Sequence, residues 1–205
     1  MSRITKRDVI LYILNLYEGI YSNDADDKGK ETYRGISRRA HPQWRGWALI
    51  DSVKGKPDFK EVIINSTALK EWAIDFYIKE YWKDLLLYTM PEEIAAEVFE
   101  QAINFGKKRA VKHLQRAANA LRYDTKLEEL QVDGVMGAKT IRMISAIEKR
   151  GRANKLLRAF NSLQGCRYVE LMEKSESQLK YTGWFDRIDI SLYRTIERKY
   201  YEGMA

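Results

Sequence analysis

The stretch Tyr17-Glu18-Gly19-Ile20-Tyr21-Ser22-Asn23-Asp24-Ala25-Asp26-Asp27-Lys28-Gly29-Lys30-Glu31-Thr32-Tyr33-Arg34-Gly35-Ile36 decides how the whole chain is read. Before it, Val9 to Tyr17 is a strongly apolar helical run. At Glu18 that pattern stops, Gly19 lets the backbone turn, and a polar, acidic, glycine-punctuated loop takes over. A carboxyl at the end of a buried helix has one side against apolar groups and the other open to a ligand. Desolvation raises the pKa of such a group, which suits a general acid. Glycoside hydrolysis uses this arrangement, with a second carboxylate to stabilise the oxocarbenium-like transition state or to position water. The competing reading makes Glu18 a solvated residue closing the first helix, and for Glu18 in isolation that reading is the simpler one.

Working outward, Thr5-Lys6-Arg7-Asp8 reads as a capping box opening the first helix. Val9, Ile13 and Leu16 form one apolar row with Ile10, Leu14 and Tyr17 beside it, a stripe wide enough for a central, buried helix. The loop from Ser22 to Arg34 has no hydrophobic periodicity and is long for a compact domain, as functional loops often are. It carries Asp24, Asp26, Asp27 and Glu31. A calcium loop would need its glycine and its distal glutamate at other positions.

Taken together, these residues resemble the signature of the glycoside hydrolase family 108 muramidases, which include phage-type endolysins and secretion activator proteins. That pattern runs E-G-G-Y, then N-D-P-x-D-x-G-G-x-T, then G-I. Glu18, Gly19, Tyr21, Asn23, Asp24, Asp27, Gly29, Thr32, Gly35 and Ile36 match it, while Ile20, Lys28 and Lys30 depart from it. The later His41-Pro42-x-Trp44-x-Gly46-Trp47 is similar to a subgroup of the same family. The resemblance implies a lysozyme-like fold with Glu18 as the catalytic acid. A loop carboxylate would assist, Asp27 first and Asp24 second, and Tyr21 and Thr32 would contact substrate.

Between Ser37 and Trp47, Arg38, Arg39, His41 and Arg45 alternate with Trp44 and Trp47. Such a cluster can read a nucleic-acid backbone and its bases, line a sugar cleft, or close one end of a core. For Trp47 the core is expected. Trp44 is a candidate sugar contact and equally a core residue. Val62-Ile63-Ile64 is too short to tell strand from helix. Ser66 to Leu87 reads as one long helix carrying Leu69, Trp72, Ala73, Phe76 and Tyr77, with Tyr81, Trp82 and Leu85 continuing its apolar surface.

The second half opens at Met90-Pro91-Glu92-Glu93, a helix start with proline and two acids in the first turn. This helix stops at Asn104-Phe105-Gly106, and another follows through Ala110, Val111, Leu114, Gln115, Ala118 and Leu121. The run from Phe99 to Arg116 resembles the peptidoglycan-associated segment that accompanies these hydrolases. Asn104 is a candidate sugar contact by that resemblance and a routine helix terminator without it. Val132-Asp133-Gly134-Val135-Met136-Gly137-Ala138-Lys139-Thr140 resembles the D-G-x-x-G-x-x-T turn of peptidoglycan-binding domains, yet the turn chemistry accounts for it fully. Ala153 to Met172 reads as a helix with Leu163 and Cys166 facing inward. Tyr181 to Arg187 closes the family pattern.

The expected architecture is mostly α. A lysozyme-like helical domain spans 1–90, a helical peptidoglycan-associated region packed on it spans 91–190, and 191–205 forms a terminal helix or tail. Hydrophobic residues at 45% suffice for a core, so disorder is not expected. A net charge of +7 favours an anionic partner without choosing among nucleic acid, anionic lipid and wall polymer. One cysteine rules out an internal disulfide, and two histidines besides make a zinc site improbable, so neither a metal nor a cofactor is expected. No signal peptide and no membrane span are read, since Val9 to Tyr17 is too short for either. The expectation is therefore synthesis in the cytoplasm, release by a phage-type pore, and action on bacterial peptidoglycan as a prophage-type endolysin. Two rivals stand beside it. One is a non-catalytic peptidoglycan-binding or secretion-helper protein. The other is a basic nucleic-acid-binding module, which the spread of 29 acids among 36 bases and the lack of a nucleic-acid motif disfavour.

Overall fold

The structure is a computed structural model that describes residues 4–23, 31–189 and 191–203. The fold is mostly α, as expected, with one small three-stranded antiparallel sheet. The chain divides between Lys83 and Asp84 into two compact units.

The first unit opens with α1 (Lys6–Tyr17), capped by the Thr5–Asp8 box. Thr5 N–H donates to Asp8 Oδ2 at 2.8 Å, and Asp8 N–H to Thr5 Oγ1 at 3.4 Å. Val9, Ile10, Ile13 and Leu14 are buried, but Leu16 is 53% exposed, so the row expected to run through Leu16 stops one turn earlier. At about 100° per residue, Leu16 falls on the rim of the stripe that the other four centre.

The segment from Ser22 to Arg34 is not all loop. Strands β1 (Tyr21–Asn23) and β2 (Glu31–Tyr33) pair antiparallel, Tyr21 opposite Tyr33 and Asn23 opposite Glu31. Strand β3 (Ile36–Ser37) pairs with β2, Tyr33 opposite Ile36. Three-residue strands are too short to show alternation, which is why sequence periodicity misses them. Between β2 and β3, Arg34 (φ 45) and Gly35 (φ 77) both sit at positive φ, as a two-residue hairpin turn of the primed type demands. Positive φ suits glycine but costs an arginine about 1 kcal/mol. Arg34 is held there by its N–H to the Ile20 carbonyl (3.0 Å) and by its guanidinium to Asn15 Oδ1 (2.6 Å).

Three helices complete this unit: α2 (Gly46–Val53), α3 (Phe59–Asn65) and α4 (Thr67–Tyr77). The ambiguous Val62-Ile63-Ile64 run is thus helical. The single helix expected to reach Leu87 ends earlier. After Tyr77 the backbone widens into a π-helical turn, Ile78–Lys83. The unit's core gathers Ile10, Leu14, Tyr33, Ile50, Leu69 and Tyr77. Trp47 lies in it as expected, its indole N–H donating to the His41 carbonyl at 2.8 Å.

The second unit is built on α5 (Glu92–Phe105), whose residues from Ile94 to Ala102 are all buried beneath α6 (Lys107–Ala120), α8 (Ala153–Glu173) and α9 (Leu192–Glu202). Its core includes polar groups. Glu100 pairs with Arg187 at 2.6 Å and accepts from Gln164 at 2.8 Å, while Gln101 donates to the Phe160 carbonyl at 3.3 Å. On α8 the buried face is Leu156, Leu157, Phe160, Asn161, Gln164 and Tyr168. Cys166 is therefore exposed and Leu163 only half-buried, contrary to the inward placement read from the sequence. The row 157, 161, 164, 168 fixes the buried face, and Cys166 stands about 200° from Gln164.

Helix α7 (Ala138–Glu148) begins where the turn motif placed it. Gln115, buried on α6, ties that turn down. Its amide nitrogen donates to Asp133 Oδ1 (2.8 Å) and the Val135 carbonyl (3.1 Å), and its carbonyl accepts from Gly134 N–H (2.9 Å). No helix among the described residues is long and apolar enough to cross a membrane.

Candidate active site

Glu18 follows α1 directly. Its N–H still bonds the Leu14 carbonyl at 3.1 Å, but its own backbone is extended (φ −111, ψ 128), so the side chain leaves the helix. The carboxylate is half-buried and turned toward the Arg34-Gly35 turn. A Cβ added to Gly35 would stand 2.8 Å from Glu18 Oε2 and 2.7 Å from the Tyr77 hydroxyl, so only glycine fits between them. Sterics and backbone conformation thus demand the same residue.

Two phenols frame the carboxylate. Tyr77, fully buried at the end of α4, donates to the Arg34 carbonyl at 2.7 Å. Burial holds its pKa well above that of an ordinary phenol, and the charge of Glu18 adds to the effect. Tyr81, in the π-helical turn, is raised by burial first, then by Glu18 and Glu80. Both hydroxyls therefore keep their protons and remain hydrogen-bond donors. Sequence reading missed both as neighbours of Glu18. Their i, i+4 spacing puts them on one helix face, but no signal in the sequence links that face to the end of α1.

Tyr21 belongs to a polar network. Its hydroxyl donates to Glu31 Oε1 at 2.8 Å, and burial, then that hydrogen bond, raises its pKa. Glu31 is itself buried, bridged by Arg38 Nε (2.8 Å) and Lys54 Nζ (3.1 Å). Arg38 forks onto Asp51 at 2.6 and 3.0 Å and lies 4.5 Å from the centre of the Trp47 ring. Arginine's planar fork suits both partners at once. This network braces the sheet against α2. Thr32 is half-buried at the middle of β2, on the sheet face opposite Glu31 and Tyr33.

Trp44 is 9% exposed, stacked on Tyr33 with ring centres 5.6 Å apart, and its indole N–H reaches the Trp72 carbonyl at 3.4 Å. It also forms part of the wall of a cavity of about 530 Å³ with His41, Arg45, Trp72 and Phe76. Asn104 lies in the second unit near the end of α5, its amide donating to the Tyr168 hydroxyl. Asp24 and Asp27 lie outside the described residues. Among the described residues no group of three or more histidine, cysteine, aspartate and glutamate side chains converges as a metal site.

A helix that delivers a carboxyl beside a small antiparallel sheet, in an otherwise helical chain, defines a lysozyme-like class of protein. Family comparison places the chain within that class. Residues 11–106 match the model described as Glycosyl hydrolase 108 and residues 109–189 the model described as Predicted Peptidoglycan domain, so the chain carries a glycosyl hydrolase 108 region followed by a predicted peptidoglycan domain. The second match ties it to peptidoglycan. Among solved structures, that of Brucella abortus SagA is 24% identical, covers 91% of this chain and 90% of its own, and superposes with a TM-score of 0.52. It shares the fold. No curated protein matches the sequence.

Proposed function

We propose that the chain is an N-acetylmuramidase that cleaves the β-1,4 bond between N-acetylmuramic acid and N-acetylglucosamine in bacterial peptidoglycan. Glu18 protonates the departing glycosidic oxygen. Asp27, or Asp24 in second place, stabilises the oxocarbenium ion or positions water. Tyr21, Thr32, Trp44 and Asn104 are the proposed contacts to the glycan, and no cofactor takes part. The observation that supports this reading most is the setting of the Glu18 carboxylate. It leaves its helix half-buried, against a glycine that cannot be replaced without collision and beside two protonated phenols. Glu31, the other acid of the motif region within the described residues, has both oxygens engaged by Tyr21, Arg38 and Lys54, which argues against it as the second carboxylate.

The basic balance of the chain would hold it on the anionic wall, and release through a phage-type pore would bring it there as an endolysin. The test is turnover of purified peptidoglycan, followed by turbidity or dye release. Glu18→Gln keeps size and most hydrogen bonding while removing the proton, so turnover should fall by about 10²–10⁴-fold with folding intact. A variant that digests peptidoglycan as fast as the parent refutes the mechanism. A parent that binds the wall but never cleaves it makes the chain a binder instead.

A further inference from the structure

Helix α6 begins with Lys107-Lys108-Arg109 and continues to Lys112 and Arg116 without one acid. Cations at a helix N-terminus oppose the helix dipole, which favours acids there. The first turn has no acid, and Gly106 before it has no side chain to cap the free N–H groups. Lys107 is neutralised by Asp84 at 2.7 Å. Lys108, Arg109, Lys112 and Arg116 have no ion-pair partner among the described residues. Three carboxylates stand at the edges. Asp84 is taken by Lys107 and Glu170 by Arg167 at 2.9 Å, with Arg109 acting on Glu170 from further off; Asp133 accepts from Gln115 and the Val135 N–H and feels the charge of Lys112 beyond ion-pair distance. Lys108 and Arg109 lie in the first turn, where the dipole disfavours them, a pattern of charge kept for an outside partner.

These side chains border a cavity of about 660 Å³, within the range of ligand pockets. His113 lines it while only 5% exposed. Its Nδ1 lies 3.1 Å from Gln101 Oε1. The Gln101 amide nitrogen is already given to the Phe160 carbonyl, so Oε1 accepts and His113 Nδ1 carries the proton. His113 Nε2 is then a bare acceptor, with no hydrogen-bond partner among the described residues, on the cavity wall. Burial and the charges of Arg109, Arg116 and Arg167 push the His113 pKa down to about 4, so the ring stays a neutral acceptor near neutral pH. The wall-domain turn forms one border. A Cβ on Gly134 would come within 2.7 Å of Lys108 Cγ and 3.2 Å of Lys112 Cγ, so the glycine lets the turn close on the stems of two of these cations. The motif that turn chemistry alone explained thus shapes the cavity as well.

The ligand must offer negative charge to the cations and, within the same small volume, an N–H or O–H donor to His113. Arginine forks match carboxylates in geometry as well as charge. A short acidic peptide supplies both charge and donor, and Phe105 and Val132 offer apolar wall to small side chains. We infer that this cavity in the second unit is a recognition site for the free carboxylates of the acidic stem peptide that peptidoglycan carries, with His113 Nε2 accepting from a backbone N–H. The assignment rests on the peptidoglycan-directed reading above, but it adds a peptide-reading site to a glycan-cleaving one.

The experiment is calorimetric titration of the full chain with the soluble disaccharide-tetrapeptide unit, with the same unit amidated at its carboxyls, with the peptide-free disaccharide, and with inorganic phosphate. The free-acid unit should bind at least about tenfold more tightly than the amidated one, as expected for charge-assisted hydrogen bonds. Arg109→Glu and Arg116→Glu, both exposed positions, should each abolish that preference, with Arg109→Gln as the milder variant and thermal unfolding as the check on folding. The ¹⁵N signal of His113 Nε2 should move on binding the free acid. Equal binding of acid and amide, indifference to charge reversal, or competition by phosphate at comparable concentration overturns the assignment. Hydrolysis of peptide-free glycan strands is followed in parallel. Intact hydrolysis with no peptide preference defeats only this inference, and peptide preference without hydrolysis defeats only the muramidase reading.

Discussion

At the scale of single residues, Gly35 is as constrained as the acid it touches. Gly35→Ala would force a Cβ between Glu18 Oε2 and the Tyr77 hydroxyl and hold an alanine at φ 77. The strain alone costs about 1 kcal/mol or more, so the thermal midpoint should drop. Turnover should drop further than stability, because the displaced group is the proposed acid; a destabilised variant with parental turnover would argue against that placement. His113 makes a second prediction. Its pKa is about 4 in the fold against 6.5 for an ordinary histidine. Between those values the unfolded chain takes up a proton that the folded chain refuses, so His113 favours folding above about pH 6.5 and that contribution is lost as pH falls toward 4. Glu97 and Glu100, raised mainly by burial, run the other way and weaken the fold as pH rises above the usual carboxylate range. Urea midpoints of the parent and His113→Gln should therefore be compared pH by pH, and their difference should shrink from pH 7 to pH 4. Glu18 was legible in the sequence because a helix end and a glycine-marked loop bracket it. Arg34, Tyr77 and Tyr81 were not, since nothing local says which distant face meets a helix end.

At the scale of elements, long helices with strong stripes were read well: α1 with its capping box, α5, α7 and α8 fall close to where periodicity and caps put them. Short elements were not, because three residues cannot display a period. The π-helical turn at Ile78–Lys83 escaped for a different reason: apolar residues continue through it, and only the backbone hydrogen bonding changes. One extra residue per turn rotates everything after it by about 100° relative to a regular helix. Tyr77 and Tyr81 nevertheless stay on one face across its start, their ring centres 5.2 Å apart. Tyr81→Phe, which removes only the hydroxyl that feels the charge of Glu18, tests whether this turn serves the site. The expected result is unchanged helix content by circular dichroism with a clear fall in turnover. Undiminished turnover would remove Tyr81 from the site's surroundings.

At the scale of the whole molecule, the chain has one cysteine and hence no internal disulfide to staple it, so each unit stands on its own buried core. The broad class was legible for that reason: 45% hydrophobic residues in helical stripes leave few architectures open. The border read at 90/91 rests on a helix start, because no composition shift marks where one core ends and the next begins. The compact units divide at Lys83/Asp84, whereas the hydrolase family match runs on to residue 106. The two borders disagree over α5. By ancestry it travels with the hydrolase, and by packing it is the axis of the second unit, its nine residues from Ile94 to Ala102 covered by helices of that unit. A fragment cut at residue 106 would carry this apolar helix stripped of α6, α8 and α9, and should aggregate on expression, as light scattering would show. A soluble, monomeric 1–106 fragment would contradict this. Anyone who recombines modules of such chains should therefore place the joints by the interior, since the inherited boundary cuts the keystone away from the module it holds together.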